Sequence, residues 1–327
     1  MSRSRNKALA VSLADVQAAR GRIAKELIRT PLVLSDAASE RAGRPVYLKL
    51  ENLQRTGAFK VRGALSKVTS FAPEERQQGL VCASSGNHGL GVAYASSRLG
   101  VRCVVVLPEN ANPHKMALLK ELGAEVVCYG ETSDVRQQKA DEISHEKGYS
   151  LVHSFADAAL IAGQGTLGLE VLEDLPEVED VYVPVGGGGL ISGIAVAIRE
   201  QRPSTRIWGV QPQYANSMWA ALREGRIVGL KEVRTVADGL AARITTEINF
   251  ALVQHYVEDV ILVSDQAILD SMWFLLEHAK VLVEPSGAAS FAGLLANAQR
   301  GGRAVAVMSG GNVSLRQIEE FRQIQGS

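Results

Sequence analysis

Residues 80–107 read LVCASSGNHGLGVAYASSRLGVRCVVVL, an apolar run at Leu80 to Ala83, a loop of small polar residues, a helical segment near Leu90 to Leu99, and a second apolar run at Val101 to Leu107. Apolar runs without polar alternation read as strands covered on both faces, and strand, helix, strand in succession reads as a right-handed crossover between parallel neighbours. The pattern continues outward. Downstream lie a helix near Lys115 to Leu122, a strand at Glu125 to Cys128, a polar helix near Asp134 to Glu146 and a strand at Ser150 to His153. A second series of strands follows at Val181 to Val185, Arg206 to Val210, Val260 to Val263 and Ala304 to Met308. Upstream, Val46, Leu48 and Leu50 alternate with Tyr47, Lys49 and Glu51, which predicts a strand ending at Asn52 and a loop running on to Lys60. Val16, Ala19, Ile23 and Leu27 mark one face of an N-terminal helix. The expected fold is α/β: two open, twisted, mainly parallel sheets with helices on both faces and a cleft between closely joined layers.

Composition agrees with such a body. The chain has 327 residues, 46% hydrophobic and 21% charged, enough for two domains with a sizeable core. Lys plus Arg and Asp plus Glu are both 35, so no net field draws the chain to nucleic acid or to anionic lipid. Three cysteines, Cys82, Cys103 and Cys128, argue for free thiols in a reducing compartment rather than a disulfide framework. The uncharged run Val181 to Ile198 approaches the length of a membrane span, but Pro184 and Gly186 to Gly189 interrupt it, which favours strand, loop and helix. With no targeting or spanning segment read, the expected location is the cytoplasm.

In open parallel sheets ligands bind beyond the carboxyl ends of strands, which singles out four loops. Gly186-Gly187-Gly188-Gly189 follows a strand and opens a helix, so successive amides can converge on one anion, and a phosphate is the natural guest. No Walker lysine follows it, and the literal G-x-G-x-x-G at Gly163, Gly165 and Gly168 lies in a segment that reads as helix. Thr56-Gly57-Ala58-Phe59-Lys60 leads into a helix, and an ammonium at the positive end of a helix loses affinity for its proton. A neutral lysine suits Schiff-base chemistry with an aldehyde cofactor. Ser84-Ser85-Gly86-Asn87-His88-Gly89 offers hydroxyls, an amide and free backbone donors, a neutral cradle for a substrate carboxylate. Ser309-Gly310-Gly311-Asn312 follows the last strand and either presents a hydroxyl or simply turns the chain.

Glu51-Asn52-Leu53-Gln54-Arg55-Thr56-Gly57-Ala58-Phe59-Lys60, then Arg62-Gly63-Ala64, with the SSGNHG, GGGG and SGGN loops in order, resembles the pyridoxal-phosphate-dependent serine/threonine dehydratase and serine racemase family from about Ile23 to Asn312. The short catabolic threonine dehydratases are the nearest type. The resemblance implies fold type II, like the tryptophan synthase β chain, with 1–68 and 155–327 as the large cofactor-binding domain, 69–154 as a small domain, and the active site in the cleft. It implies that Lys60 carries pyridoxal 5'-phosphate, that Phe59 and Gly239 flank the ring, and that Asn87 meets its phenolic oxygen. It further assigns Gly186, Gly187, Gly188 and Gly189 to the phosphate, Ser309 to the pyridine nitrogen and Glu284 to the vicinity of the ring. Ser84, Ser85, Gly86, Asn87 and His88 become substrate-binding residues, and Ser85, with Lys60, a catalytic one.

The implied reaction is loss of water from a β-hydroxy L-amino acid of the threonine or serine kind, giving a 2-oxo acid and ammonia. Ser85 keeps serine racemisation open, because racemases of the family reprotonate from the face opposite the lysine with a serine here. Phe155 and Ala242, in place of polar racemase contacts, favour dehydration; larger substrates such as phenylserine or 3-hydroxyaspartate are the alternatives. Ala58 departs from the family's commoner serine. Gln211 and Ser217 stand where part of the family has acidic cation ligands, so no metal is expected. Nothing after Asn312 resembles the regulatory domain of longer biosynthetic relatives. The resemblance also implies a homodimer, a small-molecule substrate, and neither nucleic-acid nor membrane partners. A β-replacement transferase is disfavoured because Val61-Arg62-Gly63 follows the lysine where Asp-Arg is usual. A nicotinamide-dependent oxidoreductase lacks its fingerprint, and a noncatalytic phosphate-binding module leaves Lys60 without purpose.

Overall fold

The computed structural model describes residues 9–84, 86–111, 113–297 and 301–325. Its strands are β1 (Leu32–Leu34), β2 (Val46–Lys49), β3 (Leu80–Ala83), β4 (Cys103–Leu107), β5 (Glu125–Cys128), β6 (Ser150–Leu151), β7 (Asp180–Pro184), β8 (Arg206–Pro212), β9 (Asp259–Val263) and β10 (Ala304–Val307). The helices of the first half are α1 (Leu13–Ile23), α2 (Asp36–Ala42), α3 (Lys60–Ser70), α4 (Pro73–Gln78), α5 (Asn87–Leu99), α6 (Pro113–Glu121) and α7 (Ser133–Lys147). Those of the second half are α8 (Ala158–Asp174), α9 (Gly189–Arg199), α10 (Ser217–Glu224), α11 (Glu247–Tyr256), α12 (Asp265–Glu277), α13 (Pro285–Ala296) and α14 (Leu315–Gln325).

The strands form a six-stranded sheet in the order β1-β2-β10-β7-β8-β9 and a four-stranded sheet in the order β5-β4-β3-β6. Every pairing is parallel except β1 with β2, so the fold is the expected α/β type with two mainly parallel sheets. Each strand divides its side chains between two cores because successive residues point to opposite faces. Cys103, Val105 and Leu107 of β4 pack with α3 and α5, while Val104 and Val106 pack with Ala140 and Ile143 of α7. In the larger sheet Tyr182, Ala304 and Ala306 join Phe291 of α13, and Val181, Val183, Val305 and Val307 join Ile191 and Ile194 of α9. Two-sided burial of this kind is why the strands read as unbroken apolar runs.

Some boundaries differ from the sequence reading. β2 ends at Lys49, because Glu51–Leu53 winds into a 3₁₀ turn. β6 pairs with β3 only at Ser150 and Leu151, and the chain then leaves the sheet. The Gly163, Gly165 and Gly168 series lies within α8, as its flanking residues predict. Its glycines let α8 approach α3 and α9: a Cβ on Gly163 would stand 2.4 Å from the Ser66 side chain, and one on Gly165 2.8 Å from the Gly193 carbonyl. Cys82 and Cys103 are buried and Cys128 is exposed, and all are free thiols. No helix among the described residues is long and apolar enough to cross a membrane.

Candidate active site

The loops beyond the carboxyl ends of β2, β3, β6, β7 and β10 converge on a cavity of about 460 Å³ between the two sheets. Lys60, Phe59, Ser84, Gly86, Asn87, His88, Gly186 to Gly189, Gly239, Glu284 and Ser309 all line it. Ser85 lies outside the described residues.

Lys60 is the first residue of α3. The loop before it is stitched to the chain after β10: Phe59 N donates to Ser309 O at 3.0 Å, Gly311 N donates to Gly57 O at 2.9 Å, and Ala58 bridges Gly310. Gly57 has φ +70°, and a Cβ there would stand 2.3 Å from Asn312 Oδ1, so glycine is required twice over. Lys60 Nζ donates to the Ser154 carbonyl at 3.0 Å. Burial pulls its ammonium down to about 8.

Behind Lys60 the same helix turn is anchored by a buried ionic cluster. Arg62 grips Glu51 with two bonds of 2.8 Å and Glu170 with bonds of 2.7 and 2.9 Å, and adds Thr166 at 3.2 Å. Lys49 Nζ reaches Glu170 and the Thr30 carbonyl, each at 2.7 Å. Burial alone would raise the Glu51 carboxyl, but the Arg62 guanidinium outweighs it and holds the group below its ordinary range. The cluster joins α3 to α8 and to the end of β2.

The polyglycine turn connects β7 to α9. Gly188 takes φ +102° as N-cap of α9, open to glycine at little cost. A Cβ on Gly187 would stand 2.5 Å from the Phe155 ring, so backbone and ring meet face to face. Thr245 Oγ1 and Asn249 Nδ2 donate to Gly187 O at 3.0 and 3.1 Å, which fixes that carbonyl. Among the described residues nothing accepts from the amides of Gly186, Gly187 or Gly188. Unpaired donors at a helix start attract an anion.

On the opposite wall, Asn87 opens α5 and donates to Glu284 Oε1 at 2.6 Å. Asn312 Nδ2 donates to both Asn87 Oδ1 and Thr56 O at 2.7 Å, which fixes the Asn87 amide with its nitrogen toward Glu284. Gly239 N donates to Ser286 Oγ at 3.0 Å, and Ser309 Oγ faces Ser286 O at 3.5 Å. Gly86 N donates to Ser84 Oγ at 3.3 Å, so this amide is partly engaged within its own loop. His88 is buried, its Nε2 meets the Val152 carbonyl at 2.9 Å, and burial pushes its imidazolium down to about 3. It is therefore a neutral ring whose donor is already used.

The cavity also holds residues that sequence reasoning did not single out. Arg136, from α7, donates to Glu131 O at 2.8 Å, and burial lowers its affinity for the proton. His153 and Ser154 come from the chain after β6, next to Phe155, which the resemblance had already placed in the pocket. Arg243 and Asp134 pair at 3.6 Å across the mouth. Gln211 Oε1 accepts from Trp219 N at 2.9 Å, and Ser217 opens α10; both are buried. Among the described residues no group of three or more His, Cys, Asp or Glu is placed to hold a metal.

A family model described as pyridoxal-phosphate dependent enzyme matches residues 23–310. The chain belongs to that family. It is 43% identical over 312 residues to an L-threonine ammonia-lyase of Thermotoga maritima, covering 95% of this chain and 78% of that protein. It is 37% identical over 304 residues to an L-threo-3-hydroxyaspartate ammonia-lyase of Saccharomyces cerevisiae, covering 92% of this chain and 93% of that one. A maize serine racemase structure superposes with TM-score 0.92 at 33% identity, covering 97% of this chain and 99% of its own.

The site residues of this pyridoxal-phosphate enzyme fit the cofactor. The amides at Gly186 to Gly188 are free to take an anion without any cationic side chain, and the easily deprotonated Lys60 amine shares their cavity. The cofactor supplies an aldehyde for that amine and a conjugated ring that accepts electrons.

Proposed function

We propose that the chain is a pyridoxal-phosphate-dependent lyase that removes water from a β-hydroxy L-amino acid of the threonine and serine kind, releasing a 2-oxo acid and ammonia. The observation that carries this reading is the buried Lys60 amine, lowered to about 8, in one cavity with the polyglycine turn. Such an amine is available both to hold the cofactor and, once displaced by the substrate's amine, to take the proton from substrate Cα at Nζ. The β-hydroxyl leaves as water, the proton taken from Cα balancing the one it gains, and the enamine released becomes an imine that water converts to the oxo acid and ammonia.

The remaining roles follow from what each group can donate. Gly186 to Gly189 hold the phosphate through backbone hydrogens, and Phe155 behind Gly187 keeps that turn from shifting. Asn87 spends one amide hydrogen on Glu284 and keeps the other for the cofactor's phenolic oxygen. Ser309, a neutral hydroxyl, meets the pyridine nitrogen without enforcing a charge there, which suits prompt elimination over a long-lived carbanion. Phe59 and Gly239 border the ring. Ser84, Gly86 and Asn87 form the carboxylate cradle. The layers act as two domains, 1–68 with 155–327 and 69–154, in a cytoplasmic homodimer.

A second substrate reading, 3-hydroxyaspartate, is favoured by Arg136: a half-buried guanidinium in the cavity wall whose recorded partner is one backbone carbonyl suits a second carboxylate. Purified holoenzyme incubated with L-threonine, L-serine, phenylserine and 3-hydroxyaspartate, with oxo acid, ammonia and enantiomers measured together, tests the proposal. Oxo acid without enantiomer is expected. Enantiomer without oxo acid sinks the lyase reading.

A further inference from the structure

The turn after β6 touches both ends of the site, and one imidazole gives it its shape. His153 Nδ1 accepts the backbone hydrogens of Phe155 at 3.3 Å and Ala156 at 3.1 Å. A ring nitrogen that accepts carries no hydrogen, so this ring is neutral with its hydrogen on Nε2. The turn places the Ser154 carbonyl on Lys60 Nζ at 3.0 Å. It also lays Phe155 against Gly187 and Gly189, where added Cβ atoms would stand 2.5 and 3.2 Å from it. Asn249 Nδ2 closes the link, donating to Phe155 O at 2.9 Å and to Gly187 O at 3.1 Å.

We propose that neutral His153 is a positioning residue, a latch that holds residues 154–156 so that one turn fixes both the Lys60 amine and the phosphate-binding glycines. The inference rests on the reading of Lys60 and the glycines as cofactor holders. A proton on Nδ1 would set a third N–H against two N–H donors and release the latch. Around the ring, α3 contributes Lys60, α5 contributes His88, α7 contributes Asp141 with Arg136 and Gln137 in the cavity wall, and the start of α8 contributes Asp157. Asp134 and Arg243 pair at the mouth. Burial and the Lys60 charge oppose protonation and outweigh Asp157 and Asp141, so the ring takes its proton only below the usual value near 6.5.

The test compares wild-type holoenzyme, His153→Asn and His153→Ala between pH 7 and pH 5. Its readouts are cofactor affinity by equilibrium dialysis and hydrogen exchange at the Phe155 and Ala156 amides, corrected for intrinsic rates. An asparagine oxygen can accept from amides two and three residues ahead and does not titrate. Wild type should be protected and tight at pH 7, with exchange rising and affinity falling at least tenfold where the ring takes its proton. His153→Ala should show fast exchange and weak affinity throughout, and His153→Asn should stay protected and tight at both pH values. The proposal is overturned if His153→Ala matches wild type at pH 7, or if His153→Asn keeps the wild-type pH response. Lys60→Ala separates the two readings. Unchanged cofactor affinity in that variant removes the role of Lys60, while the exchange data still report on the latch.

Discussion

Replacing Arg62 by alanine should be among the most destabilising single changes in the molecule. The guanidinium makes contacts of 2.7 to 3.2 Å to Glu51, Glu170 and Thr166 in a place without solvent. Without it, Glu51 keeps the Thr30 hydroxyl as a hydrogen-bond partner and only the nearby Lys49 charge to offset its own, while Glu170 keeps Lys49. Breaking a buried pair from one side costs about 3–5 kcal/mol, because the partner's charge is left without compensation. Unfolding entropy of ~2.1 cal/mol/K per residue gives about 0.7 kcal/mol/K for a chain of this length, so Tm should fall by about 4–7 °C. Lysine cannot span two carboxylates as a planar fork does, and Arg62→Lys should lie between the two. The loss should persist in 1 M salt, which does not screen a buried pair. Calorimetry of the cofactor-free protein is the assay. An Arg62→Ala variant melting within about 1 °C of wild type would refute the reasoning.

Gly187→Ala should lower cofactor affinity tenfold or more, measured by dialysis, because the new methyl meets the Phe155 ring at 2.5 Å. Lys60→Met should stabilise the cofactor-free protein by up to about 3 kcal/mol at pH 7 in urea unfolding, since a shift from 10.5 to about 8 is a cost of burial. That cost is fully present below pH 8 and is relieved as the pH rises toward 10.5, so the advantage of Lys60→Met should shrink over that window. His88, depressed to about 3, binds its proton more readily when unfolded, so stability should fall steadily as the pH drops below 6.5 toward 3. A flat urea midpoint across that range would contradict it. Arg136→Ala should raise KM for 3-hydroxyaspartate far more than for threonine, as read from initial rates.

The alternating units were legible because strands covered on both faces leave apolar runs that no surface element mimics. β1 escaped notice: it is a three-residue antiparallel edge strand with Val33 and Leu34 exposed, so no periodic signal marks it. The helix α5 begins at Asn87, one turn ahead of the apolar stretch that marks it in the sequence, and that turn was not legible because Asn87, His88 and Gly89 are poor helix formers. The four glycines and Asn87 stood out because each lies in a loop whose composition is wasteful for a plain turn, whereas Lys60 and Ser309 took their roles from the family resemblance. Asn312, Asn249, Arg136 and His153 did not. Asn312 acts on Asn87 and Asn249 on Gly187 across long stretches of chain that only folding brings together, while Arg136 and His153 bond locally and lie in segments that read as plain helix and strand. The lowered Lys60 amine was legible from its place at a helix start, but the burial that lowers it was not, because it depends on chain far away in sequence.

In the proposed reading Lys60 Nζ carries the cofactor, and borohydride reduction of the holoenzyme followed by proteolysis and mass spectrometry reads that bond. A pyridoxyl group is expected on the peptide containing Lys60 and on no other lysine. A labelled Lys67, Lys49 or any lysine elsewhere, with an unmodified Lys60, would overturn the assignment.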